Sequence, residues 1–270
     1  NVGSYYSAGM TISGNVLATG NAVYQNTTGI SAYGSILRDN DVYENETGVS
    51  AFGGALVESN RVYGNTGNGI WLTTQNGGGV AGTARSNSVY SNNVGIYGGP
   101  GTVGYSSSFV IENNLVYDNN NIAVSLANAP GSRLTNNTIY QSVGSAIEVG
   151  MVGSTAATGV SLRNNIIQVD GDGYAIKVGS SSQTGFSSDY NLFDLTGGSD
   201  IASWQGRSFA DMVDWTAELG FDAHSRIASP LFADPDGADG ILGYRDPAQL
   251  LDEGAAVLTG AWTQQAGGYG

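Results

Sequence analysis

The chain has no cysteine, one histidine (His224) and one lysine (Lys177) in 270 residues. Without thiols there can be no disulfide framework, and the redox compartment leaves no mark on the sequence. Basic residues are scarce, nine Lys plus Arg against 23 Asp plus Glu, for a net charge of −14. Such a surface repels nucleic acid and anionic membranes, which sets both aside as partners. No apolar run is long enough to span a bilayer, so no membrane insertion is expected. What the chain has in quantity is glycine, 42 residues, and a hydrophobic content of 40% that can fill a narrow core.

A short motif returns through most of the length. Asn21-Ala22-Val23-Tyr24 is followed by near copies at Asn40, Asn60, Asn87, Asn114 and Asn137, each with Val or Ile two residues on and then Tyr, and by looser copies at Asn165 and Asn191. Successive asparagines are 19, 20, 27, 27, 23, 28 and 26 residues apart, a period that marks a solenoid. A second signal, Gly or Ala before a β-branched residue, follows each motif (Gly29-Ile30, Gly48-Val49, Gly69-Ile70, Gly95-Ile96, Ala146-Ile147, Ala175-Ile176). A third precedes the next asparagine, as in Ile36-Leu37 and Leu56-Val57. Three short apolar strands per repeat make one triangular coil, and a coil can bury its inward face only by stacking on others. Asn and Gly suit the corners because both tolerate the left-handed backbone of a sharp turn.

This pattern resembles the right-handed parallel β-helix superfamily, which includes pectate lyases, polygalacturonases, alginate C5-epimerases and repeat modules of large bacterial surface and secreted proteins. The resemblance covers residues 9 to 194 and implies an all-β, single-stranded parallel β-helix of about eight to nine coils. Residues 195–270 read as C-terminal coil, a short helix and a capping tail in the same domain. Ser208-Phe209-Ala210-Asp211 fits a capping box, and Phe209, Met212, Val213, Thr216 and Leu219 recur at helical spacing, predicting a helix over about 209–219 that Gly220 ends. Three insertions rich in Gly, Ser and Thr, over 73–82, 98–108 and 150–158, read as loops leaving one or two corners. The first coil begins by Gly9, so its outer edge is expected to need neighbouring coils or another subunit.

Four groups of residues invite a functional reading. Tyr24, Tyr43, Tyr63, Tyr90, Tyr117 and Tyr140 follow inward residues and form an outward row, joined by Trp71 and Tyr97 in one aromatic surface. Such a row either stacks on sugar rings or packs on itself. The asparagine row reads as a structural ladder. Gly220-Phe221-Asp222-Ala223-His224 is similar to the Gly-Phe-Asp-Pro-His stretch of alginate C5-epimerases, which would give Asp222 and His224 a part in proton abstraction; Ala223 replaces the proline, and Ser225 stands where a Glu is usual. Asp234, Asp236 and Asp239 alternate around a glycine like part of a calcium loop, as do Asp170 and Asp172 more sparsely. Calcium is therefore the one cofactor with a candidate site. Asn26-Thr27-Thr28 and Asn45-Glu46-Thr47 match the glycosylation acceptor pattern.

A uronate lyase or epimerase needs basic groups near its cleft, and the arginines (Arg38, Arg61, Arg85, Arg133, Arg163) occur singly. Arg38, Arg61 and Arg85 could align on one face, or serve as ion-pair partners of Glu44, Glu58 or Asp39. The paired aspartates and Gly-His-Gly of polygalacturonases are missing. The expected function is an extracellular or cell-surface structural or adhesive module, stacked head to tail and touching polysaccharide; the alternative is a polysaccharide-active enzyme.

Overall fold

The computed structural model describes residues 7–74, 82–100, 106–233 and 243. Most strands in it pair with their equivalent one turn further along the chain, in parallel and in register. The first sheet runs from Ala8–Ser13 through Thr28–Tyr33 and Thr47–Phe52 to Asp200–Trp204. The second runs from Leu17–Thr19 to Ser187–Asp189, and the third from Ala22–Tyr24 to Arg226–Ile227. Eight coils carry strands of all three sheets, so the fold is the parallel β-helix that the repeat predicts.

Period-two alternation decides what fills the coil. In the third sheet Val42, Val62, Val89, Val116, Ile139, Ile167 and Phe193 fall in one register column, and all are fully buried. Ile30, Val49, Ile70, Ile96, Val124, Ile147 and Ile176 form the matching column of the first sheet.

The corners differ from the expectation in an instructive way. The left-handed residue is the one before each asparagine: Asp39 (φ 54°), Ser59 (56°), Ser86 (56°), Asn113 (56°), Asn136 (57°), Asn164 (57°) and Tyr190 (61°). The bend aims the next N–H along the stack, and the asparagine itself supplies the acceptor. Asn60 N–H and Nδ2 both donate to Asn87 Oδ1 (2.9 and 3.1 Å), and Nδ2 also reaches the carbonyls of Leu37 and Glu58. Its own Oδ1 accepts the same pair from Asn40. Every polar atom of the buried amide is thereby satisfied.

There are two such ladders where the sequence suggested one. Asn26, Asn45, Asn65, Asn92 and Asn119 repeat the arrangement five residues later, at the corner between the third and first sheets. This second ladder explains the glycine signal. A Cβ on Gly48 would lie 2.6 Å from the Gly69 carbonyl, 2.8 Å from Val62 Cγ1 and 2.9 Å from Asn65 Nδ2. Gly9, Gly29, Gly69 and Gly95 stand in the same relation to Asn26, Asn45, Asn92 and Asn119. One coil later Gln141 replaces the asparagine, bonding the carbonyls of Asn119 and Val143, and the glycine position becomes Ala123.

The third corner, between the first and second sheets, carries no ladder among the described residues, and all three long insertions fall between strands of these two sheets. The one over 150–158 is more than a loop: strand Ser145–Val152 continues past its neighbours and folds back antiparallel with Thr155–Ala156.

At the C-terminal end Arg207–Phe209 pairs antiparallel with Asp200–Trp204 and closes the first sheet. The helix is shorter than predicted, Met212–Leu219, because Asp211 and not Ser208 is its N-cap, accepting from Asp214 N–H at 2.9 Å. Gly220 ends it in the left-handed conformation as expected. Its buried residue is Trp215, while Val213 is 73% exposed. Trp215 packs with Trp204, Phe209 and Phe221 at ring separations of 5.1 to 5.9 Å, a lid over the last coil.

Gly48→Ala should destabilise the fold by about 1–3 kcal/mol, the cost of overpacking against backbone. Ala123→Gly, where no asparagine faces the position, should cost only about 0.5–1 kcal/mol. Denaturant melts of the two variants would separate these outcomes, and equal losses would refute the pairing of glycine with ladder amide.

Candidate functional site

A groove of about 390 Å³ runs along the outer face of the first sheet in the later coils. Its floor is a register row. Tyr97 is followed by Ser125, Glu148, Lys177 and Ser203, each alternating outward from a strand whose neighbours point into the core, and Trp71 continues the row one coil before Tyr97, beyond the residues that line the groove. The wall on one side is the Ser145–Val152 hairpin, with Met151 and Val152 exposed above the sheet. Gly150, Gly179 and Gly206 complete its lining.

The row changes character along its length. At one end Trp71 and Tyr97 lie 6.3 Å apart with rings tilted by 47°, and Trp71 Nε1 donates to the Gly99 carbonyl at 3.2 Å. Burial pushes the Tyr97 hydroxyl pKa above its ordinary value. At the other end Lys177 Nζ meets Glu148 Oε1 at 2.9 Å, both side chains partly exposed. An aromatic platform thus leads into hydroxyls and then a neutralised ion pair.

The tyrosine row is a separate feature. Tyr24, Tyr43, Tyr63, Tyr90 and Tyr117 stack in sequence with centroids 4.7 to 5.0 Å apart and planes within 16° of parallel. Tyr140 continues their register column. Ring faces are turned to ring faces, which is the self-packing arrangement. Tyr63 and Tyr90 are buried by it, and burial pushes the hydroxyl pKa of Tyr63 and of Tyr117 up to about 12. Trp71 and Tyr97 do not join this surface, because they stand on the first sheet, across the second asparagine ladder from the tyrosines.

The basic residues also divide. Glu58 sits between Arg38 and Arg85 on the second sheet, 2.8 Å from each, and their hydrogen bonds hold its carboxyl below the usual range. Arg61 is on the third sheet instead, 3.6 Å from Asp41 and bonded to the Tyr90 hydroxyl.

Asp222 and His224 take separate partners. Asp222 is buried and accepts from Asn191 Nδ2 (3.0 Å), Trp215 Nε1 (2.9 Å) and Ser225 Oγ (2.6 Å). It terminates the first ladder, with Ser225 taking the place of the next asparagine by accepting Asn191 N–H. His224 lies on the surface, its Nδ1 2.8 Å from Asp189 and its ring stacked on Tyr190, whose other contact is Arg163 at 4.0 Å. Asp234, Asp236 and Asp239 lie outside the described residues, among which no cluster of three metal-ligating side chains occurs. Asp172 is exposed, and Asp170 accepts from the Thr196 hydroxyl. Asn45, in one of the acceptor motifs, is a buried rung and closed to glycosylation.

No protein-family model matches the chain, and neither does any curated protein or solved structure. The fold therefore stands on the strand topology alone, and the site on its own geometry.

Two outcomes test these assignments. Asp222→Ala should cost about 2–4 kcal/mol of stability, since it strands buried donors, whereas His224→Ala should leave the melt nearly unchanged at neutral pH. At Asp189 burial raises the carboxyl pKa, but hydrogen bonds from the His224 ring and from the His224 and Tyr190 backbone outweigh it, so the folded value is depressed. That contribution is present above the ordinary carboxylate range and is lost as pH falls through the depressed value. Asp189→Asn should accordingly flatten the acid limb of the stability curve.

Proposed function

We propose that this chain is an extracellular structural or adhesive module: a rigid β-helix that holds the first-sheet groove out to a carbohydrate chain. The observation that supports it most is the single row from Trp71 and Tyr97 through Ser125 to Glu148 and Lys177. Aromatic faces bind the apolar side of a sugar, and hydroxyls and charged groups in line with them can bond its hydroxyls. The groove's charge is balanced by its own ion pair, which favours a neutral polysaccharide over a polyuronate. An acidic exterior keeps such a module soluble and away from anionic surfaces. Among the described residues no helix is long and apolar enough to cross a membrane.

One observation favours the enzyme reading: a carboxylate and an amine do meet in the groove. A general base must be free to take a proton from substrate, and here Glu148 and Lys177 are bonded to each other. Hydrolysis by paired carboxylates needs two, and Glu148 is alone among the described groove residues. Binding without turnover is the better fit.

Titrating the protein with soluble neutral glycans and with polyuronates, and following tryptophan fluorescence, tests the proposal. Trp71→Ala should weaken binding about 3- to 10-fold, the loss of one stacking contact worth roughly 0.5–1.5 kcal/mol. Tyr43→Ala, in the tyrosine ladder, should not change it. Unsaturated products from a polyuronate, abolished by Lys177→Ala, would establish the enzyme instead.

A further inference from the structure

The groove has two chemically different sides. Along strand Ser145–Val152 the outward positions run Glu148, then Gly150, and the chain goes on into the hairpin wall at Met151 and Val152. Gly150 pairs in register with Ala127, and Gly179 follows in the next coil, its N–H donating to the Val149 carbonyl at 2.9 Å. A column of methyl or hydrogen therefore separates the polar row of Ser125, Glu148 and Lys177 from the apolar wall, a width of about 7 Å for two residues of strand.

That wall is fixed from both sides. Val152 N–H donates to Asn128 Oδ1, in the coil before, at 2.8 Å. In the coil after, Ser181 Oγ donates to Met151 Sδ at 2.8 Å and Ser182 Oγ to the Gly150 carbonyl at 3.0 Å. Pinning a methionine costs side-chain entropy. With Met151 and Val152 48% and 37% exposed, burial within the fold recovers little of that cost. What the arrangement provides is a preorganised apolar surface in the same groove as the polar row.

We propose that the groove selects an O-acylated form of a neutral glycan, its hydroxyls along Ser125, Glu148 and Lys177 and its acyl group against Met151 and Val152. This rests on the carbohydrate reading of the groove and adds the substituent. The edge of an unmodified sugar carries hydroxyls, and pressing one against Met151 and Val152 would strand a donor away from water. An ester puts a methyl-terminated group there instead, together with a carbonyl acceptor. Lys177 Nζ has three N–H donors and gives one to Glu148, so that carbonyl meets a donor beside the wall. A carboxylate substituent would set its charge against Glu148 and a chain of net charge −14.

The test is calorimetric titration of the full chain with one glucomannan in two forms, O-acetylated and deacetylated by mild alkali. The acetylated form should bind about 5- to 10-fold more tightly, the effect of burying a methyl group and satisfying a carbonyl. Met151→Ser with Val152→Ser should bring the two forms within twofold of each other and leave the affinity for the deacetylated form unchanged. Met151→Leu, which keeps the wall apolar, should retain the preference. Melting curves of each variant confirm that the fold is intact, as expected for exposed positions. Equal binding of the two forms, or a preference that survives the double serine variant, would overturn this inference alone. Binding of neither form would overturn the carbohydrate reading of the groove and this inference with it.

Discussion

A coil that turns three times within 19 to 28 residues must place backbone N–H groups at its corners where no strand can receive them. Buried and unpaired, each would cost about 1–3 kcal/mol. The carboxamide of asparagine meets this demand with unusual economy, since its oxygen takes the N–H and side-chain amide of the coil before while its nitrogen donates to carbonyls of both coils. The left-handed residue ahead of it makes the bend that brings the amide inside. That division of labour explains why the preceding position tolerates Asp, Ser, Asn or Tyr while the asparagine does not vary from Asn21 to Asn191.

The ladders also set where the protein can change. A rung works only at fixed register, so the first laddered corner is always two residues long, and the second stays within a few. Length variation is displaced to the corner without a ladder, where longer loops cost little additional closure entropy. The hairpin that walls the groove grows from that corner. Scaffold and site are therefore segregated by a hydrogen-bonding rule and not by domain boundaries.

Much of this was legible in the sequence. The period, the inward Val and Ile column and the structural role of the first asparagine row all follow from spacing and alternation. The second row lies five residues after the first, with the tyrosine, a stronger chemical signal than corner geometry, between the two. Had the rows been paired, the glycines of the next strand would have followed, because a Cβ and a ladder amide compete for one space. The groove was beyond reach, since its row is assembled from residues 23 to 29 apart whose alignment depends on the insertion lengths between them. Asp222 shows a structural use that its motif does not announce: within the stretch similar to a catalytic one, it is the residue that ends the first ladder.

The contrast between the two aromatic sets follows from the same stacking distance. Parallel coils lie about 4.8 Å apart, close to the separation at which rings stack face to face. A tyrosine in every coil at one register position must therefore stack on its neighbours, which stabilises the corner and hides the faces a sugar would use. Trp71 and Tyr97 escape because their column has serine on either side, Ser50 before and Ser125 after. Neither ring can be drawn into a continuous stack, and the two are tilted by 47° to each other at 6.3 Å. Interrupting the repeat, more than having aromatics in it, is what leaves aromatic side chains of this helix outside a continuous stack.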